Sequence, residues 1–208
     1  MARKTKDRKL RIKYAVLGDG RTEQFYLKHL KEIKGYGYAI KPSLFNRLTI
    51  EEAEGTIDDL RSGGANKIIY LTDYDTIINQ HKKRKFNELR KKYIKLPEVM
   101  ICETMPSIEF WFLLHYHYTT KAFRNAAEAE QALRKHIPDY AKGKDSFLKN
   151  CKWVEQLISN GKMEQALNFA QKIMDKKSKE SIGAHFPYTK LHRAIKEFQQ
   201  FKKRKKKK

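Results

Sequence analysis

Residues 12–23 read IKYAVLGDGRTE, an apolar run that stops at a Gly-Asp-Gly turn before a polar helix start. A short apolar run bounded by a turn is typical of a buried strand. From Thr22 onward, apolar residues recur at helical spacing until Gly35, so a helix is predicted after the turn. This strand, turn and helix form the first unit of a predicted α/β fold.

The same alternation continues through the first half of the chain. Apolar and β-branched runs predict three further strands, at residues 39–45, 67–71 and 99–102. Thr49 and Glu52 have the spacing of a capping box, which predicts the start of a second helix. A long basic helix is predicted between the third and fourth strands, ending near Lys95. Strands that alternate with helices predict a mostly parallel sheet flanked by helices.

Beyond residue 106 the apolar residues follow helical spacing throughout. Helices are predicted around residues 110–114, 147–158, 166–173 and 188–198. The sequence therefore predicts four segments, which are a basic disordered arm (1–11), an α/β core (12–106), a helical extension packed on the core (107–201) and a disordered polybasic tail (202–208).

The formal net charge is +22, which is more than solubility requires. Such a charge favours polyanionic partners, so nucleic acid is the expected ligand. The basic segments at the two ends could instead serve only solubility. No apolar run is long enough for a membrane span and the first residues are charged throughout, so no membrane association and a cytoplasmic location are expected.

Two acidic pairs follow predicted strands. Asp19 and Glu23 come after the first strand, and Asp73 and Asp75 come after the third. Because the carboxyl ends of parallel strands meet at one edge of a sheet, we expect these four side chains to converge there. Carboxylates brought together require a cation, and oxygen ligands favour Mg²⁺ or Mn²⁺. Asp19, Asp73 and Asp75 are the predicted metal ligands.

Each of these acids also has a purely structural interpretation. Asp19 could form an Asx turn, Glu23 could be a first-turn acid favoured by the helix dipole, and Asp75 could be a helix N-cap. Two acidic turns after two strands of one sheet favour the joint functional interpretation.

Two basic features are predicted to contact a nucleic acid. Arg21 lies at the predicted start of the first helix, where it could pair with a phosphate. A basic run follows the third strand and could contact the phosphate backbone or form a solvated helix face; it comprises Lys82, Lys83, Arg84 and Lys85.

Several segments together resemble known families. Residues 18–30 (GDGRTEQFYLKHL) resemble the first motif of Toprim domains, and 73–75 (DYD) resemble their D-x-D motif. Residues 103–116 (ETMPSIEFWFLLHY) resemble a characteristic segment of the RloB-like family. Residues 140–147 (YAKGKDSF) and 187–198 (PYTKLHRAIKEF) are similar to later elements of that family.

The resemblance implies a Toprim-like α/β fold with a C-terminal helical extension. It implies catalytic roles for five acids, which are Asp19, Glu23, Asp73, Asp75 and Glu109. The chain departs from the family pattern at Asp19, where the family usually has Glu, and at Thr104-Met105, where it usually has Ser-Asn. Glu109 could also border the acidic edge without touching metal, and Trp111 is expected in the core.

The leading functional hypothesis is a metal-dependent endonuclease that acts on RNA or DNA. By resemblance, it would belong to a phage-defence, abortive-infection system and work with an ATPase encoded alongside. A non-catalytic nucleic-acid-binding subunit or sensor of that ATPase is the first alternative. The second is a haloacid-dehalogenase-like phosphatase, because 69–76 (IYLTDYDT) resembles its nucleophile motif.

Overall fold

The computed structural model describes residues 14–18, 20–41, 48–180, 183 and 185–206, and these residues form an α/β structure around a five-stranded sheet. The strands run in the order β2-β1-β3-β4-β5. The first four are mutually parallel, and β5 is antiparallel to β4. Their bounds are β1 Tyr14–Gly18, β2 Ala39–Lys41, β3 Lys67–Asp73, β4 Val99–Met105 and β5 Tyr188–Thr189.

Ten helices cover the sheet in the described part of the chain. The first four accompany the parallel strands, and they are α1 Arg21–Lys34, α2 Ile50–Ser62, α3 Tyr74–Asn79 and α4 Lys83–Tyr93. The other six belong to the second half, and they are α5 Ile108–Leu113, α6 Ala126–Arg134, α7 Asp145–Leu148, α8 Lys152–Ile158, α9 Lys162–Lys179 and α10 Leu191–Lys206. No helix in the described ranges is both long and apolar enough to span a membrane.

The sheet is buried on both faces, as a parallel sheet requires. Every residue of β1 is buried, and so is all of β3 after Lys67. One face packs with α2, α3 and α4 in a smaller apolar cluster. The other face shares a larger cluster with α1 and the helices of the second half. The helical second half is therefore continuous with the core of the α/β half, and it also supplies β5.

The predicted strand, turn and helix signals are largely confirmed. The Thr49 hydroxyl accepts a hydrogen bond from the Glu52 N–H, and the Glu52 carboxylate accepts one from the Thr49 N–H. Helix α1 ends where Gly35 adopts the left-handed conformation, with φ of 62°. Residues 12, 13 and 42–45 of the predicted strands lie outside the described residues.

The prediction of one long basic helix after β3 is wrong, because α3 and α4 are separate helices. His81 adopts a positive φ of 56° between them. The His81 and Lys82 N–H groups donate to the last carbonyls of α3, on Ile78 and Ile77. This arrangement is a helix C-terminal cap, which the charged sequence does not reveal.

The predicted helices of the second half also need correction. The segment predicted as one helix at 147–158 contains two, α7 and α8, and α6 was not predicted. Tyr188 lies in β5, where it pairs with Met105 of β4, instead of on a helix. A strand of two residues is too short to show the alternation by which strands are recognised.

Helix α10 continues through Lys206, beyond the expected start of the disordered tail at residue 202. Phe201 is buried and stacks on Tyr14 with ring centroids 3.9 Å apart, and the Lys202 ammonium donates to the Lys34 carbonyl. These contacts tie the last turns of α10 to β1 and α1. Residues 1–13 and 207–208, which include the predicted arm, lie outside the described residues.

Two glycine substitutions should change stability in opposite directions. Gly35→Ala should lower the free energy of unfolding by about 1 kcal/mol, because an alanine at a positive φ is strained. Gly55→Ala should raise it by about 0.5–1 kcal/mol, because Gly55 lies inside α2 with open space around its Cα. Urea denaturation of both variants checks the signs, and an unchanged Gly35→Ala protein would contradict the assigned cap.

Candidate functional site

The candidate site lies where the chain changes direction across the sheet. Helix α1 leads from β1 to β2 on one side, and the chain then crosses to β3 on the other side. In open α/β sheets, ligands bind at this switch point, beyond the carboxyl ends of the strands. A cavity of about 380 Å³ opens there. Its lining includes Gly20, Arg21, Glu23, Thr49, Thr72, Asp73 and Lys142.

Glu23 occupies the first turn of α1 and its side chain is buried. Two glycines make room for it. A Cβ at Gly18 would lie 3.0 Å from the Glu23 Cβ, and a Cβ at Gly20 would overlap the Glu23 carboxylate. The glycines of the first motif therefore let the chain fold tightly over this acid. Asp19, the other predicted acid of this turn, lies outside the described residues.

Asp73 ends β3 and is buried. Its Oδ1 accepts a hydrogen bond of 2.7 Å from the Ile108 N–H at the start of α5, and its Oδ2 lies 3.3 Å from the Lys142 Nζ. Burial raises the pKa of Asp73, and the negative charge of Glu23 raises it further, while Lys142 acts in the opposite direction. Asp73 is thus a carboxylate whose charge depends on nearby cations.

Glu109, on α5, is completely buried and fully hydrogen-bonded. Its Oε1 accepts from the Tyr140 hydroxyl at 2.7 Å. Its Oε2 accepts from the Ser107 hydroxyl at 2.6 Å and from the Lys142 ammonium at 3.0 Å. A side chain held at both oxygens by three groups is fixed in position. The structure therefore places Glu109 beside Asp73, with one cation between the two acids.

That cation, Lys142, was not predicted as a site residue. It lies in the loop between α6 and α7, and its side chain is one-third exposed at the cavity, at 33%. Burial by itself would lower the pKa of Lys142, but the charges of Asp73, Glu109 and Glu23 raise it above the ordinary lysine value. The only sequence signal for Lys142 was its position in the segment 140–147, which resembles a family element.

Asp75 has a different environment. It lies on α3, and its Oδ2 accepts a hydrogen bond of 2.9 Å from the Ala126 N–H at the start of α6. Burial raises its pKa, and this hydrogen bond opposes the rise. Asp75 is not among the residues that line the cavity. The contact to α6 gives it a structural role, and its predicted role as a metal ligand stays a prediction.

The donor chemistry of the site suits a hard divalent cation, because Asp73 and Glu109 already direct oxygens at one positive charge. Across the described residues, however, no three His, Cys, Asp or Glu side chains are arranged to hold a metal ion. The predicted metal ligand Asp19 lies outside these residues.

The predicted phosphate-binding residues are mostly engaged in ion pairs. Arg21 pairs with Asp145 at the mouth of the cavity. The other four lie at or near the start of α4, and Glu51 of α2 pairs with two of them. The pairs are Lys82–Glu51 at 3.5 Å, Lys85–Glu51 at 2.5 Å and Arg84–Glu88 at 3.7 Å, and Lys83 is exposed. The Lys85 contact lowers the pKa of Glu51 to about 2.

The aromatic residues of α5 lie in the hydrophobic core, as predicted for Trp111. Its indole N–H donates to the Tyr26 hydroxyl at 2.9 Å. His115 is fully buried under the indole ring, and burial lowers its pKa to about 4. A neutral, buried histidine is typical of a core residue and not of a metal ligand or a proton carrier.

Fold and site together define an α/β protein with buried carboxylates at the switch point of a mostly parallel sheet. The chain belongs to the RloB-like protein family, whose model matches residues 14–198 and thus nearly the whole chain. Searches of the curated proteins and of the solved structures gave no significant match.

Removing the ammonium between the acids should destabilise the protein. Lys142→Met should lower the free energy of unfolding by about 2 kcal/mol near neutral pH, because it leaves buried carboxylates uncompensated. Folding raises the pKa of a carboxyl group that is buried in this way. Ionising the group therefore costs stability as the pH rises from its pKa in the unfolded chain, about 3.9, through its pKa in the folded protein. The loss should therefore be larger at about pH 8 than at about pH 5.

Urea denaturation in the presence of a chelator measures this effect. Lys144→Met, an exposed change in the same loop, is the matched control and should stay within about 0.5 kcal/mol of the unmodified protein. Adding Asp73→Asn to Lys142→Met should restore part of the loss. Equal losses for the two lysine variants would contradict a special role for Lys142.

Proposed function

We propose that this chain is a metal-dependent endonuclease that cleaves RNA or DNA with Mg²⁺ or Mn²⁺. One observation carries the proposal. Glu23, Asp73 and Glu109 come from three separate segments of the chain and are buried together around a single positive charge at the switch point of the sheet. Buried acids that are held together at the cost of mutual repulsion are typical of functional sites.

The overall charge supports a polyanionic substrate. The chain carries a net charge of +22, while its cavity is lined by the acids Glu23 and Asp73. A basic surface attracts the phosphate backbone, and an acidic floor would repel it unless a divalent cation intervened. This combination favours a phosphodiester substrate over a neutral one.

Asp73 and Glu23, with Asp19, would hold the metal ion, and Glu109 would support the arrangement from the side. When bound, a divalent cation polarises phosphoryl oxygens and lowers the pKa of a bound water molecule. The Ile108 N–H keeps Asp73 oriented toward the cavity. Lys142 lines the cavity and would be able to donate to a phosphoryl oxygen there.

The role in the cell is proposed from the family resemblance. We propose a function in phage defence, with an ATPase partner that activates or restrains the nuclease. A nucleic-acid-binding subunit without catalysis is the alternative if the acidic site does not bind metal. Incubating the purified protein with labelled total RNA and plasmid DNA, with and without Mg²⁺ or Mn²⁺, separates cleavage from binding. A phosphoaspartate at Asp73 would instead indicate a phosphatase.

Asp73→Asn should abolish metal-dependent cleavage while the protein stays folded. The amide keeps the shape of the side chain but loses the charge that a divalent cation needs. Asp59→Asn, an exposed change on α2, is the matched control and should cleave at the unmodified rate. Cleavage assays and a denaturation curve on each variant test this, and full activity of a folded Asp73→Asn protein would refute the proposed site.

Substitutions of Asp19 test whether this residue takes part in cleavage, although its side chain is shorter than the Glu that the family usually has there. We expect Asp19→Ala to eliminate cleavage, because it removes one of the proposed metal ligands. Asp19→Glu should also lower the rate, because a displacement of about 1 Å in a fitted site can cost on the order of a hundredfold. Rates at saturating Mg²⁺ decide between these outcomes and a partly decayed site, in which Asp19→Glu would raise activity.

A further inference from the structure

A second concentration of charge lies one strand away from the acidic site. Glu103 on β4 is almost completely buried and pairs across the sheet with Thr72, the residue before Asp73. Neighbouring strands lie about 4.8 Å apart, so Glu103 is close to the carboxyl edge that carries the cavity. It faces a group of cations that belong to other parts of the chain.

Two cationic side chains pair with this one acid, and a third lies within its electrostatic influence. The Lys190 Nζ lies 2.6 Å from the Glu103 Oε1, and the Arg90 Nη1 lies 3.7 Å from the same oxygen. Lys177 lies over the ring of Tyr188, with its Nζ 4.2 Å from the ring centroid. We call Arg90, Lys177 and Lys190 the β5 cation cluster.

The β5 cation cluster carries more positive charge than Glu103 can neutralise, because three cations accompany one carboxylate. Arg90 and Lys190 both pair with the Glu103 Oε1. The Oε2 of Glu103 is buried and has no hydrogen-bond partner among the described residues. Burial lowers the pKa of Lys177; Glu103 counteracts this, while Lys190 and Arg90 lower it further by repulsion.

The cluster is built by the fold, since its members come from distant positions. Arg90 lies on α4, Lys177 lies near the end of α9, and Lys190 lies between β5 and α10. The Arg90 side chain remains 41% exposed. By contrast, most of the basic run before and in α4 is paired with Glu51 or Glu88. The cluster therefore has unmatched charge that is available to an anion from solution.

Two aromatic rings connect the cluster to the acidic site. Tyr74 follows Asp73 directly, and its ring centroid lies 6.4 Å from that of Tyr188. Tyr188 in turn lies under the Lys177 ammonium. These packed rings place the cluster close to Asp73, so a single nucleic-acid strand that enters the cavity could reach the cluster within a few nucleotides.

We propose that the β5 cation cluster binds a backbone phosphate of the nucleic acid, on the side of the cleavage site that faces β5. This proposal rests on the proposed function for the identity of the substrate. Glu103 acts as a positioning residue, since it holds Lys190 and Arg90 in place without touching the strand. The run at Lys82–Lys85, predicted from the sequence, is a smaller contributor because three of its four residues are paired within the protein.

Binding measured without cleavage tests the proposal. The full chain is titrated into short fluorescein-labelled oligo(U) and oligo(dT) in EDTA, and anisotropy gives the dissociation constant over a range of salt concentrations. Arg90→Gln and Lys177→Gln should each weaken binding about five- to tenfold and lower the magnitude of the salt slope by about 0.7, the value for one contact to a single strand.

A matched control is available on α4 itself. Lys91→Gln makes the same change of charge at an exposed position next to Arg90 on this helix and should change binding less than twofold. Lys190→Gln is avoided because it would leave Glu103 buried beside fewer cations, and denaturation curves verify that each variant folds. If the cluster variants and the control weakened binding equally, only the net charge of the protein would matter. The proposal would then be overturned.

Two other results have clear meanings. Unchanged binding by the cluster variants, together with loss of a co-purifying protein, would assign the cluster to a protein partner and overturn the phosphate site. Weakened binding by the cluster variants, in a protein that cleaves neither RNA nor DNA, would support the phosphate site while the nuclease proposal fails. The binding and cleavage assays therefore separate the two proposals.

Discussion

The Lys142 ammonium lies between the carboxylates of Asp73 and Glu109, at 3.3 and 3.0 Å. Carboxylates that have lost their water must be compensated by a cation or by hydrogen-bond donors, or they take up protons. The protein supplies both kinds of compensation, through Lys142 and through N–H and hydroxyl groups at the starts of α5 and α6 and on Tyr140. The acidic edge is thus compensated within the folded structure by one lysine and by several hydrogen-bond donors.

This constraint also explains how the two halves of the chain are joined. Asp73 and Asp75 follow β3, yet they accept hydrogen bonds from the first N–H groups of α5 and α6. The free N–H groups at a helix start favour negative charge. The helical second half therefore docks on the acids of the first half, and β5 extends the sheet from the same side.

The positive charges of the molecule differ in how far they are paired. Most of the predicted phosphate-binding run is engaged in pairing with α2 and with its own helix, where it stabilises packing. The unmatched positive charge instead gathers around buried Glu103, beside the edge where the acids lie. A basic sequence alone shows how much charge is present, whereas the fold decides which cations remain available to a ligand.

The amino-acid sequence by itself determined the parallel α/β core, the capping box of α2 and the placement of acids after β1 and β3, because strand alternation and helix caps depend on near neighbours in the chain. It did not reveal β5, the break between α3 and α4, or the role of Lys142. The break between α3 and α4 is a local cap at His81, formed without the glycine that usually marks one. Strand β5 and the role of Lys142 depend on contacts between distant residues, such as Thr104 with Thr189 and Lys142 with Asp73. Only the tertiary structure decides such contacts, because they form when separate segments share one buried site and must balance its charge there.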